Sequence, residues 1–141
     1  MGNVHTAITL KNVKDMGNAH DGYIKEDDIR SVTINALVDT GAMTLCITEE
    51  IRQKLGLEIV ETRPAHIANG SRVTCQVTEP VEIIWKNRHS TCKSVVIPGA
   101  EITLLGVIPL EDMDLTVNPV SQELVGAHGD EWLSMAVGIT A

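Results

Sequence analysis

Asp39-Thr40-Gly41-Ala42 closes the apolar run 32–38, and so delivers one carboxylate on a tight turn directly off a buried strand. Burying a carboxylate is costly unless it is paired or hydrogen-bonded. A glycine two residues later lets the backbone turn sharply beside it. A carboxyl group so held can act as a general base or, when protonated, as a general acid. The chain contains this arrangement once, so two catalytic carboxylates require a second subunit to supply the partner aspartate. An Asp-x-Gly segment also has a plain structural use, in which the aspartate caps its own loop.

The chain around this turn has 141 residues, 43% of them hydrophobic, enough for one domain with a useful core. The net charge is -8, with acidic residues grouped at Glu26-Asp27-Asp28, Glu49-Glu50 and Glu111-Asp112, and with no block of lysine and arginine. That pattern predicts no nucleic-acid partner and no anionic membrane partner. Cys46, Cys75 and Cys92 are odd in number and far apart, which suits reduced core thiols better than a disulfide framework or a zinc site. The five histidines are scattered, so neither metal nor cofactor is expected. There is no signal-like segment and no apolar run of membrane-spanning length, and the expectation is a soluble, cytoplasmic protein. Met1-Gly2 with Thr6 fits a loose myristoylation pattern, but the segment is better read as a strand.

The elements that must position Asp39 are mostly strands. Val4, Thr6, Ile8 and Leu10 alternate as on a half-buried strand. Residues 14–30, rich in glycine and charge, read as an exposed loop or hairpin tip. The run 32–38 is a second strand and Leu45-Cys46-Ile47 a third, on the far side of the turn. One helix is predicted after it, with Thr48 as N-cap, Glu49 and Glu50 at its positive end, Gly56 as terminator, and Ile51 and Leu55 on the buried face. Residues 57–97 alternate as strands broken at Pro64, Asn69-Gly70, Glu79-Pro80 and Lys86-Asn87-Arg88. Asn69-Gly70 marks a hairpin running from about 65 to 77. Ile102-Thr103-Leu104-Leu105-Gly106 is a buried run ending in glycine, and Pro109 opens a single helical turn. Two short strands follow at 115–117 and 121–125. The apolar segment 126–141 calls for a covering surface, either its own core or another chain.

Leu37-Val38-Asp39-Thr40-Gly41-Ala42, the hairpin around Ala68-Asn69-Gly70 and the later Leu104-Leu105-Gly106 together resemble the retropepsin-like aspartic proteases, the single-domain relatives of retroviral proteases that include bacterial members. The similarity runs from about Thr6 to Val125. It implies an all-β fold, a closed acid-protease barrel with one short helix, as a single domain over 1–141 that pairs into a homodimer. It further implies an aspartic endopeptidase acting on a polypeptide substrate, without metal or cofactor, with Asp39 catalytic. By the same resemblance Thr40 would lock the two turns across the dimer axis, while Gly41 and Ala42 shape the turn, Gly41 leaving its N–H free to point toward the carboxylates. Ala68, Asn69 and Gly70 would form a flap over substrate, with Leu104, Leu105 and Gly106 supporting the turn. The tip is more polar than retroviral flaps, and Met43-Thr44 stands where retroviral chains carry an acidic residue. The other reading keeps the fold and removes the catalysis, leaving a dimeric peptide-binding module whose aspartates are structural.

Overall fold

The computed structural model describes residues 3–67 and 69–129, so Ala68 of the expected flap, Met1-Gly2 and most of the apolar tail lie outside the described residues. The protein is mostly β with few helices. Seven strands form one sheet in the order β1-β2-β7-β3-β6-β5-β4, and β8 and β9 form a separate two-stranded sheet. The strands are β1 His5–Asn12, β2 Ser31–Val38, β3 Leu45–Ile47, β4 Ile59–His66, β5 Arg72–Trp85, β6 Arg88–Val96, β7 Leu104–Leu105, β8 Leu115–Asn118 and β9 Glu123–Gly126. Among the described residues three α-helices intervene, α1 Val13–His20, α2 Glu49–Leu55 and α3 Val107–Asp112, with a 3-10 turn at Glu26–Asp28. None is long and apolar enough to cross a membrane.

Alternation in β1 places Ile8 and Leu10 in the core, where they meet Leu45, Ile47, Ile51, Leu55, Val81, Ile83 and Leu105. The long strand β5 holds the sheet together. Its first half pairs with β4, its second half with β1 through Thr9↔Ile84 to Asn12↔Val81, and β6 takes the other edge. Glu79-Pro80 does not break this strand. Pro80 sits at a bulge between Val77 and Pro80, where the missing N–H is harmless because β5 is there passing from one neighbour to the next. Pro64 likewise lies within β4, the last strand of the sheet, where a missing donor faces no further strand.

The segment 14–30 is an exposed connection only in its second half, since its first half is helix α1. Asn12 is fully buried and its Oδ1 accepts from the Asp15 N–H at 3.0 Å, capping α1, while its Nδ2 donates to the last carbonyl of α2, that of Leu55, at 2.8 Å. One amide therefore satisfies two helix ends. Asp15, also buried, accepts from the Arg30 backbone N–H at 3.0 Å and from its Nε and Nη2 at 2.8 and 2.9 Å. The guanidinium crosses Gly56, where a Cβ would come within 1.7 Å of Nη1. Arg30 thereby pins the returning chain onto the C-terminus of α2. The helix α2 itself is as expected, with Thr48 Oγ1 accepting from Ile51 N–H and Gly56 left-handed at the C-cap.

A second arginine, this one buried, joins the small sheet to the large one. Arg88 donates to the carbonyls of Met113, Asp114 and Gly129 at 2.7–2.8 Å, and Gly126 must lack a side chain because a Cβ there would stand 2.3 Å from the guanidinium. The sequence placed Arg88 in a turn. A lone charged residue next to a turn carries no local signal of burial, and here its three carbonyl partners come from residues far along the chain.

The Arg30 side chain holds the Asp15 carboxyl below its ordinary value of 3.8, opposed by burial. A carboxyl whose pKa is depressed on folding adds stability above its unfolded value and loses it as pH falls through the folded value. Asp15→Asn is expected to lower unfolding stability by about 2 kcal/mol at pH 7. In urea titrations across pH, the gap to wild type should close as the solution is taken below the ordinary carboxylate range. A gap that stayed constant down to strong acid would show that the ion pair is not its source.

Candidate active site

Two chain segments meet at the Asp39 turn. Strand β7, only Leu104–Leu105, lies between β2 and β3, parallel to the first and antiparallel to the second. It therefore separates the strand that enters the turn from the strand that leaves it. Asp39 N–H donates to Leu105 O at 3.0 Å, and Ala42 N–H closes the turn on Asp39 O at 3.1 Å. The helix α3 starts immediately after β7, and its first two N–H groups, Val107 and Ile108, donate to the carbonyls of Ala42 and Met43 at 2.9 and 2.8 Å. These are donors that a helix start always leaves unpaired. Pro109, the third residue of α3, has no N–H to satisfy, so the helix begins two residues earlier than the proline alone suggested.

Gly106 makes this junction possible. A Cβ there would lie 2.3 Å from Thr44 O, 2.5 Å from Ala42 O and 2.8 Å from Thr44 N, all backbone atoms that cannot swing aside. Its φ of -93° is available to any residue, so the requirement is space and not backbone freedom. Gly41 is similar in kind. It has no positive φ, yet a Cβ would sit 3.1 Å from Asp39 Oδ1. Its N–H points toward the carboxylate, as the resemblance implied, and donates to Asp39 Oδ1 of its own turn at 2.8 Å. One carboxylate oxygen is thus fixed by the turn, and among the described residues the other has no hydrogen-bond partner. Asp39 is half-buried, Thr40 and Gly41 are exposed, and Ala42 is half-buried.

The strand register separates two faces. Val38, Leu105 and Leu45 are paired in one row and point into the core, whereas Leu37, Leu104 and Cys46 form the neighbouring row on the opposite face. Leu105 is fully buried, but Leu104 is only half-buried, so the two leucines do not share the core role expected of both. Continuing the alternation carries Asp39 toward the Leu37 row. The Cys46 thiol is pushed up to about 11, chiefly by burial, then by Cys75, Asp39 and Cys92, which places it within electrostatic reach of the carboxylate. All three cysteines are free thiols.

Asn69 and Gly70 lie at the tip of the β4–β5 hairpin, which is longer than the 65–77 expected. Ile67 N–H donates to Ser71 O at 3.0 Å and Gly70 N–H to Ile67 O at 2.9 Å, and of Asn69 and Gly70 only Gly70 has a positive φ, +84°. The tip is therefore a three-residue connection and not a two-residue turn with both central residues left-handed. Among the described residues no hydrogen bond joins this tip to the Asp39 turn.

The family model described as "gag-polyprotein putative aspartyl protease" matches residues 28–121, a span that contains the Asp39 turn, the hairpin and Leu104-Leu105-Gly106. The chain belongs to this aspartyl protease family. A solved structure titled EIAV protease complexed with the inhibitor HBY-793 is similar to it with a TM-score of 0.54 and 22% identity, covering 79% of this chain and 88% of that one. At that identity the likeness shows the fold. No curated protein matches the chain. In this aspartyl protease chain, β1 and α1 precede the matched span, so the Asn12 and Asp15 anchors lie outside what the family model describes.

Two glycine substitutions separate space from conformation. Gly106→Ala is expected to destabilise by about 1–3 kcal/mol, because a methyl group is forced into backbone. Gly17→Ala, in helix α1 with nothing within 4 Å of a Cβ, is expected to stabilise by about 0.5–1 kcal/mol. Chemical denaturation of the two variants beside wild type checks both. A neutral Gly106→Ala would mean that the turn and α3 are not packed as described.

Proposed function

We propose that the protein is an aspartic endopeptidase that works as a homodimer, with one Asp39 from each copy. The observation that carries this reading is the state of Asp39 itself. It is one carboxylate per chain, with one oxygen tied to Gly41 N–H and the other unengaged among the described residues, on a turn braced by β7 and α3. Two such carboxylates a few ångströms apart cannot both ionise cheaply, so they share a proton and titrate as a pair, as aspartic protease dyads are known to do. The ionised member draws a proton from a water held between them. The protonated member donates to the scissile carbonyl as water adds to its carbon. The tetrahedral species then collapses, the amide nitrogen leaving as a protonated amine.

The remaining residues take supporting parts in this reading. The Thr40 hydroxyl, exposed and without a hydrogen-bond partner among the described residues, bonds across the axis to the opposite turn. Ala42 keeps the turn closed through its N–H to Asp39 O. The hairpin with Ala68, Asn69 and Gly70 at its tip covers an extended polypeptide, whose backbone bonds as an added strand. The row of Leu37, Cys46 and Leu104, with Ile102 exposed two residues before Leu104, favours apolar side chains next to the cut bond. The additional β1–β5 pairing supports a lobe closed into a barrel.

The Gly41 N–H bond also favours a second reading, because it is the bond by which an aspartate caps its own loop. In that case the protein is a non-catalytic dimeric peptide-binding module. Asp39→Asn discriminates between the two. Asparagine keeps an acceptor for Gly41 N–H and so keeps the turn, but removes the shared proton. On a denatured protein substrate, cleavage is expected to fall at least about 100-fold with the melting temperature little changed. Unchanged cleavage would refute the catalytic role of Asp39, and peptide binding with no cleavage by wild type would establish the module.

Dilution and pH supply independent checks. Activity per mole should decline as the sample is diluted through dimer dissociation, and the rate should be bell-shaped in pH because only the singly protonated pair is competent. A monomeric sample with full specific activity would rule out a shared site, and a rate climbing steadily into alkali would rule out the dyad.

A further inference from the structure

The segments that form and brace the Asp39 turn are uncharged, as are several other stretches of the chain. Residues 40–48 and 102–110 contain no charged side chain, in a protein of net charge -8. Within them Ile102 is exposed at 52%, and so are two further large apolar side chains, Met43 at 74% and Ile108 at 47%. The latter two stem from adjoining backbone, since Ile108 N–H donates to Met43 O at 2.8 Å, and the neighbouring Val107–Ala42 bond fixes both relative to the turn. The exposed Tyr23, Val60 and Val120 differ in kind. Each stands singly on a separate element, as scattered surface apolar residues do in most proteins.

A two-fold axis that brings two Asp39 carboxylates together must pass beside this turn. Met43 is four residues from Asp39, so its backbone lies no more than about 14 Å from it. A patch so close to a two-fold axis meets its own copy or the surface next to it. Long-range charge opposes the encounter, because each copy is acidic. The attraction near the axis must then come from burial of apolar surface, for which methionine, unbranched and adaptable, is well suited.

We infer that Met43 and Ile108 form an apolar contact patch that packs against the second copy of this chain beside the paired turns, so that the assembly is held there by burial and not by ion pairs. The inference rests on the homodimeric reading of the site and names the surface that reading leaves unspecified. It has a consequence opposite to that of an ion-paired interface. Salt screens the mutual repulsion of two acidic copies and leaves apolar contact intact, so the dimer should tighten as salt is added.

The test is sedimentation equilibrium of the full chain at low and at about 0.5 M salt, for wild type, Met43→Glu, Ile108→Glu and the conservative Met43→Leu and Ile108→Leu. Wild type is expected to dimerise more tightly at high salt. Each glutamate is expected to weaken dimerisation at least about tenfold, the equivalent of losing one buried apolar side chain, and each leucine by less than about threefold. Since a glutamate could disturb folding, thermal melts accompany each variant. The Met43 methyl resonance, assigned by its loss in Met43→Leu, is also expected to shift on dilution of the wild-type protein. Glutamate variants that dimerise as wild type does, a methyl signal indifferent to dilution, or a dimer that loosens with salt would overturn the patch and leave the shared Asp39 site standing. A wild type that stays monomeric at every concentration and cleaves nothing would overturn the site and the patch together.

Discussion

The structure depends on a two-residue strand wedged between the two sides of a turn. Leu104–Leu105 holds β2 on one edge and β3 on the other, and the next residue, Gly106, leaves room for the carbonyls of Ala42 and Thr44 to lie against the chain. Removing Cβ at that one position lets α3 begin at once, and its unpaired N–H groups then find the turn carbonyls. The carboxylate of Asp39 is held by backbone that has almost no freedom left. Such a turn is rigid for a reason that can be stated atom by atom, and the proposed pairing of two Asp39 carboxylates would call for that rigidity.

Around that wedge the molecule is anchored by two arginines, each bound in a different way. Arg30 pairs with the buried Asp15 and lies over Gly56, closing the N-terminal segment onto α2. Arg88 is held by three carbonyl oxygens, with the Asp114 carboxylate 3.8 Å away, and lies against Gly126, closing the small sheet onto the large one. In both cases a glycine supplies the space for a guanidinium to cross the backbone. Neither arginine touches the Asp39 turn, and both hold the elements on which the turn is mounted.

Much of this architecture was legible in the residues. Alternation predicted β1, β2 and the strands of the central region. The Thr48 to Gly56 caps located α2 to the residue, because capping is local chemistry written within a few positions. The errors have a common cause. Asn12 caps α1 and also binds the end of α2, and Asp15 meets Arg30, so the helix in 14–30 is stabilised by partners that its own glycine-rich composition does not reveal. Pro64 and Pro80 look like breaks, but a proline costs a strand nothing where no neighbour needs its N–H, and which edge is vacant is a property of the sheet. Leu104 and Leu105 look alike in sequence, and only the register with β2 and β3 puts them on opposite faces.

By itself the sequence determined that one aspartate follows an apolar strand into a tight turn, that a later apolar-apolar-glycine element accompanies it, and that no second copy of the turn exists in the chain. Those are facts of residue type and order, and they are what the proposed chemistry and its second subunit are argued from. Only the tertiary structure decided that the later element is the wedge inside the turn, that Gly106 is required for space and not for its φ, and that Gly41 N–H holds one oxygen of Asp39 while the other stands open. Each of these is a distance between atoms, most of them between residues far apart along the chain, and such distances exist only once the strands have paired.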